Sequence, residues 1–305
     1  MKRLFMSMLI GFAVVPVTLS ARTMESAVGW KTARPVKAVV VGASIAAYYA
    51  GNFGEQLQGA CSNLEVVNLA HQKDKAREIR HRFEEKFLKN RGLFRRAPGR
   101  EYWALVLGGL NEIWAPERVN LQLLVMFRKA HAAGVKVAGL SLTPWGSDGD
   151  RRRWRGIAGL QTHLDTRKVV DFVLGRLSPK EALGRYAGDM RQWADGDLPD
   201  LKVDLWDSDL RDRNARIRPA APLKKALHRS LKWRRRVGRL PKNERKAQWN
   251  RLLDTARKVP RHYLRRDLRS FDSTHPNREG HRIIAARICA HAPASWGCDC
   301  SALDR

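Results

Sequence analysis

"VKAVVVGASIAAYYAG", residues 36–51, decides how the rest of the chain is read. A β-branched apolar run closed by a glycine is the signature of a strand buried on both faces. The small and aliphatic residues behind it, continuing through "NFGEQLQ", read as a helix. Four more apolar runs repeat the theme: "LEVVNLA" at 64–70, "YWALVLGG" at 102–109, "VKVAGLSL" at 135–142 and "LKVDLWD" at 201–207. Helical patterns fall between them, over 72–90, over 117–134 with Gly134 as a C-cap, and over 165–195. A last helix runs from Asn277 to His291. Strands alternating with helices predict an α/β domain over residues 30–305, with a five-stranded, mostly parallel sheet covered on both faces. Functional groups in such sheets gather beyond the carboxyl ends of the strands.

Residues 209–268 break the alternation. They hold "LKKALHRSLKWRRRVGRLPKNERKAQWNRLL", dominated by Lys and Arg with Trp233 and Trp249 interleaved, and read as a basic helical insertion. The whole chain carries a formal charge of +28. Such a field draws polyanions and is silent on fold. Three readings of the insertion stand side by side: a solvated helical pair, a lid or docking surface for an anionic substrate or envelope, and a nucleic-acid surface. The last fits poorly with the N-terminus. There Lys2 and Arg3 precede an apolar stretch from Leu4 to Leu19 and small residues at Ser20 and Ala21, the layout of a bacterial secretory signal over residues 1–21. The stretch is shorter than the roughly 20 residues of a membrane span and contains Pro16, so cleavage is expected over anchoring, although Leu19 fits poorly before a cut at Ala21. A periplasmic or secreted location follows. Cys61, Cys289, Cys298 and Cys300 then read as disulfides. A bridge between Cys298 and Cys300 would be strained, so at least one longer bridge should pin the C-terminal tail. No CxxC pair marks a metal site.

Three segments carry chemistry. Gly42-Ala43-Ser44 lacks the second glycine of a dinucleotide-binding turn, and Asn68 stands where that fold needs an acid. It nearly fits the G-x-S-x-G elbow, but that elbow usually lies deeper in the chain. The remaining reading puts Ser44 just past the first strand, at a helix N-terminus, with its hydroxyl exposed. A serine needs a base to become a nucleophile. "SFDSTHPNREGH", residues 270–281, offers one: His275 as the base, with Asp272 three residues earlier to orient it. "GGLNEIW", 108–114, offers Asn111, whose amide can stabilise an oxyanion. Alone, Ser44 would read as a helix cap, Asn111 as a loop amide and Asp272–His275 as a surface pair. Together, at successive strand ends, they read as a catalytic set. His281 reads as a packing residue of the last helix, and His71, although able to approach the site, is not taken as part of the catalytic set.

In order and spacing, Gly-Ala-Ser44, Gly109-Leu110-Asn111 and Asp272-Ser-Thr-His275-Pro resemble the SGNH, or GDSL, hydrolase family. "LTPWG" and "VDLWDS" resemble its fourth and fifth strand ends. The resemblance covers residues 36–208 and 268–291. It implies a flavodoxin-like three-layer α/β/α sandwich, cleavage of acyl esters on carbohydrates or lipids, and no metal or organic cofactor. It implies Ser44 as nucleophile, Asp272 and His275 as acid and base, and Ser44 with Asn111 as oxyanion hole. The chain departs from the family at Ala43, where an Asp is usual, and at Glu112, where an Asp often follows the Asn. It also departs at "NLAHQKD", 68–74, where Lys73 stands in place of a glycine whose N–H joins the oxyanion hole. A positive φ there would be costly for Lys. Three functions remain in view. One is an exported esterase, acting on an acylated carbohydrate more readily than a lipid because no long apolar lid is present. The second is an O-acyltransferase using the same site. The third is a non-catalytic polyanion binder on a hydrolase-like scaffold.

Overall fold

The computed structural model describes residues 35–49, 51–95, 99–188, 193–194 and 196–304. The export segment read from residues 1–21 lies outside them. Five strands form one sheet among the described residues: β1 (Val36–Gly42), β2 (Leu64–Asn68), β3 (Glu101–Leu107), β4 (Lys136–Leu140) and β5 (Leu201–Val203). Their order is β2-β1-β3-β4-β5, and every pairing is parallel. This is the flavodoxin-like doubly wound order, whose crevice opens where connections leave β1 and β3 in opposite directions.

The period-2 alternation of β1 divides the core. Val39 and Val41 face α2 (Ala76–Phe83), α3 (Pro116–Ala132) and α4 (Ile157–Val173), in one apolar cluster with Ala104 and Val106 of β3. Ala38 and Val40 face α1 (Phe53–Ala60) and α9 (Arg278–Cys289), in a second cluster with Leu105 and Leu107. All seven β1 residues are buried; Lys37 is tolerated because its ammonium pairs with Glu65 at 3.0 Å. A three-layer α/β/α sandwich results.

Several element boundaries differ from the sequence reading. The stretch after β1 is not helical until Phe53. Asn52 stops the helix from starting earlier, because its side chain accepts the N–H groups of Gly54 and Glu55, an N-cap, and Gly51 before it has φ +65°. The helix expected over 165–195 begins at Ile157 and ends at Val173, where Gly175 takes φ +69°; α5 (Pro179–Leu183) follows. β5 keeps only three residues of the seven expected.

The segment read as an insertion contains α6 (Ala220–Arg229), α7 (Leu231–Gly238) and α8 (Lys242–Lys258). Leu223, Leu227, Trp233, Val237, Leu252 and Ala256 close a small core against Leu160 of α4. Trp233 is therefore buried, and Trp249 packs on His228 at 4.6 Å, so the two tryptophans serve packing rather than standing free for base stacking. The flanking strands of chain are tied by bridges between Arg211 and Leu264 and between Ile217 and Pro260. All four thiols are bonded: Cys61–Cys298 spans 237 residues and Cys289–Cys300 spans 11. The tail is pinned as expected, once to the end of α1 and once to the end of α9.

Candidate active site

Ser44 owes its place to Gly42. A Cβ there would sit 2.3 Å from the Leu107 carbonyl oxygen, so only glycine lets the end of β1 press against the end of β3. Beyond it residues 44–47 form a single turn, with the Ala47 N–H donating to Ala43 O at 2.9 Å. Ser44 therefore does not stand at the helix N-terminus expected for it, since α1 begins only at Phe53. The turn does leave the Ser44 N–H without an acceptor among the described residues.

The Asp272–His275 loop is held from several sides. Ser270 N–H donates to His275 O at 2.8 Å, Gly146 N–H to Ser273 O at 2.7 Å and Asn277 N–H to Leu268 O at 2.8 Å. Asn277 also caps α9, its side chain accepting from Gly280 N–H. Within the loop, Asp272 Oδ1 accepts the N–H groups of Thr274 and His275 at 2.7 and 2.8 Å. Both Asp272 oxygens lie against His275 Nδ1, at 3.0 and 2.9 Å. Burial pushes the Asp272 carboxyl up, but the two backbone N–H groups and the imidazole outweigh it and hold the pKa below the usual carboxylate range. An ionised carboxylate only accepts, so a neutral His275 must carry its proton on Nδ1 and keep the Nε2 lone pair free. Nε2 lies 2.8 Å from Ser44 Oγ, in position to accept the hydroxyl proton. Phe271, 80% exposed, stacks on the imidazole with ring centres 4.9 Å apart.

Asn111 sits in a 3₁₀ turn, Leu110–Glu112, that leaves the end of β3 through Gly109 at φ +106°. A Cβ on Gly109 would meet Val119 at 2.5 Å. Asn111 Nδ2 donates to Asp74 O at 3.0 Å, which ties the β3 loop to the β2 loop and leaves its second hydrogen free. The β2 loop contains Lys73 at φ +67°, the one non-glycine with positive φ among the described residues. Its N–H donates to no described residue. The backbone thus takes a left-handed conformation that favours glycine, with a lysine in it. The loop is anchored by His71 N–H donating to Gly42 O at 3.1 Å and by the buried Asp74 carboxylate. That carboxylate receives Arg82 Nε at 2.9 Å and sits 3.1 Å from His71 Nδ1. Glu112 is buried and pairs with Arg118.

Ser44, His275 and Asp272 therefore form one hydrogen-bonded chain at the β1/β3 switch point, with Asn111 on the loop beyond β3. His71 is spent on Asp74, and His281 is buried under Tyr48 with ring centres 4.5 Å apart. The sequence reading missed Asp74, whose carbonyl aims Asn111, and Phe271. Only the acid of "QKDKAREIR" ahead of a helix hinted at the former. Such an arrangement can activate a hydroxyl and stabilise a developing oxyanion. Among the described residues one cluster has metal-ligand geometry, Cys61, Cys289 and Cys298; all three sulfurs are in disulfides.

No family profile and no curated protein matches the chain by sequence. Several solved structures are similar. The acetyl xylan esterase AlAXEase is 13% identical over 84% of this chain and 100% of its own, with a TM-score of 0.44. A lipolytic G-D-S-L protein from Veillonella parvula is 15% identical over 84% and 97%, at 0.45. The psychrotrophic esterase EstA from Pseudoalteromonas is 10% identical over 84% and 95%, at 0.44. At such identities and scores these likenesses decide nothing about chemistry.

Proposed function

We propose that the chain is an exported serine esterase of the SGNH type, cleaving acyl esters, acetyl among them, through Ser44, His275 and Asp272. The observation that carries this is the 2.8 Å contact between His275 Nε2 and Ser44 Oγ, with Asp272 on the other ring nitrogen. In this reading Ser44 Oγ attacks the acyl carbonyl while Nε2 takes its proton. The carbonyl oxygen becomes an oxyanion that accepts from the Ser44 N–H, the free Asn111 Nδ2 hydrogen and the Lys73 N–H. Nε2 then returns the proton to the departing alcohol, leaving an acyl-enzyme. Water attacks that ester with His275 again as base, the acid departs, and Ser44 regains its proton. Asp272 stabilises the imidazolium at each stage without itself taking the proton. The left-handed backbone at Lys73 supports the third donor, since it leaves that N–H unspent. Export rests on residues 1–21.

A fluorophosphonate probe applied to the mature protein and to Ser44→Ala tests the reading. Labelling of the wild type alone, with turnover of a small aryl acetate, is the expected result. Equal labelling of both, or of neither, would sink it.

A further inference from the structure

A cavity of about 430 Å³ opens beside the Asn111 loop, within the roughly 300–1,000 Å³ range of small-ligand sites. Its walls come from distant parts of the chain. Trp114 follows the 3₁₀ turn, Asp165 comes from α4, Arg185 and Tyr186 from the turn after α5, and Lys232 and Arg236 from α7. Trp114 is only three residues past Asn111, and three residues span at most about 11 Å. One wall of the cavity therefore lies within about 11 Å of chain from the oxyanion donor. The α7 wall belongs to the basic insertion, so this is one place where that insertion meets the catalytic end of the sheet.

The lining has a particular chemistry. Trp114 is 64% exposed, an aromatic face with nothing packed over most of it, and Tyr186 offers a second ring. Arg185 lies over the Tyr186 ring, 5.0 Å from its centre, and donates to its hydroxyl at 3.0 Å. Lys232 and Arg236 are four apart on α7 and so share a face. Arg185, Lys232 and Arg236 have no carboxylate within ion-pair distance among the described residues, whereas the neighbouring Arg118 and Lys168 are paired with Glu112 and Glu117. Asp165 accepts from Gln161 at 2.6 Å through one oxygen and has the other for a hydroxyl donor. Aromatic faces take the apolar side of a pyranose ring, an acceptor takes its hydroxyls, and unpaired guanidinium and ammonium groups take a carboxylate.

We propose that this cavity is a subsite for an acidic sugar, so that the ester cleaved at Ser44 is carried by a hexuronate-containing oligosaccharide. The assignment of substrate rests on the esterase reading, but the binding site does not. A neutral glycan would leave the three exposed cations without a charge partner, and a phospholipid headgroup would leave the aromatic faces unused.

The test is titration of the full mature chain and of Ser44→Ala with trigalacturonate and with xylotriose, at about 0.15 M ionic strength so that distant charges are screened. The expected result is that trigalacturonate binds at least about tenfold more tightly than xylotriose, and that Lys232→Ala with Arg236→Ala removes at least about tenfold of that affinity. Trp114→Ala should weaken both sugars. The matched exposed pair on α8, Lys242→Ala with Lys246→Ala, should change neither sugar affinity nor hydrolysis of a small aryl acetate. Equal affinity for the two sugars, or no measurable binding, overturns the proposal. So does an equal loss from the α7 and α8 pairs, which would mean attraction by the overall field. If trigalacturonate binds as expected while the probe fails to label Ser44, the esterase reading falls and the acidic-sugar site stands. If labelling holds and binding fails, the reverse is true.

Discussion

His281 gives a sharp test of the packing beneath the site. Its side chain is fully buried, lying between Tyr48 and Phe53 with ring centres 4.5 and 6.1 Å away. Neither ring nitrogen has a hydrogen-bond partner. Burial, with a smaller push from nearby His275, lowers its pKa from 6.5 to about 4. The folded state therefore holds it neutral while the unfolded chain protonates below pH 6.5. The sign follows: the stability tied to this group is fully present above pH 6.5 and is lost as the pH falls toward 4. A depression of that size is worth about 3 kcal/mol, and about 2–3 kcal/mol of it should be gone by about pH 4.5. In His281→Phe that loss cannot occur. Urea unfolding with the disulfides intact, at about pH 7.5 and pH 4.5, should show the variant gaining about 2–3 kcal/mol on the wild type across the interval. Its stability at the higher pH is a separate matter, where relief of the unpaired N–H and crowding by the larger ring oppose each other. His281→Gln separates titration from shape, since it should lose the same slope with a less apolar side chain. A residual slope is expected in both variants from His163, which burial also lowers to about 4 and whose Nδ1 accepts from the Tyr263 hydroxyl at 2.7 Å. Curves for wild type and both variants that run parallel between the two pH values would refute the reasoning.

Asn111→Ala should lower kcat about 10²–10³-fold with KM little changed, and should cost about 1 kcal/mol of stability through the lost bond to Asp74 O; steady-state kinetics on an aryl acetate and a urea curve read both. Lys73 tests the left-handed loop. That conformation costs a residue with a Cβ about 1–2 kcal/mol, of which glycine gives back about 0.5–1 in the unfolded chain. Lys73→Gly should thus stay within about 1 kcal/mol of wild type, while the stiffer Lys73→Val should lose about 1–2 kcal/mol; if Val were tolerated like Gly, the assigned backbone would be wrong. The two disulfides close loops of 237 and 11 residues. In the chain-entropy account their removal by paired Cys→Ser changes costs about 5.5 and about 3 kcal/mol respectively, and denaturant midpoints that rank them the other way would contradict it.

What could be read ahead of the structure follows the range over which each signal acts. β1 was legible because a strand buried on both faces must be apolar at every step, and only Lys37 needed a partner from β2. The same short-range logic failed just beyond it. "SIAAYYAG" has helix-forming residues, yet the Asn52 cap and the positive φ of Gly51 delay α1 until Phe53, and local propensity gives way to the cap. At the site, Ser44, Asn111, Asp272 and His275 were found because strand ends converge in a doubly wound sheet, so position along the chain stands in for position in space. Lys73 was flagged as standing where the resemblance puts a glycine, and its φ of +67° is a conformation glycine adopts most readily. That weakens the case for a dead scaffold, which rested on the missing glycine. Asp74 could not be found this way, because the direction of a carbonyl leaves no trace in residue type. The α7 wall of the acidic-sugar cavity was hidden for a different reason. Lys232 and Arg236 are two basic residues among many, and nothing local marks them apart from Lys242 and Lys246 at the same spacing. Only the packing of Leu223, Leu227 and Trp233 on Leu160 of α4 sets which pair faces Trp114. The insertion's apolar core, rather than its charge count, therefore decides which of its cations can reach a substrate.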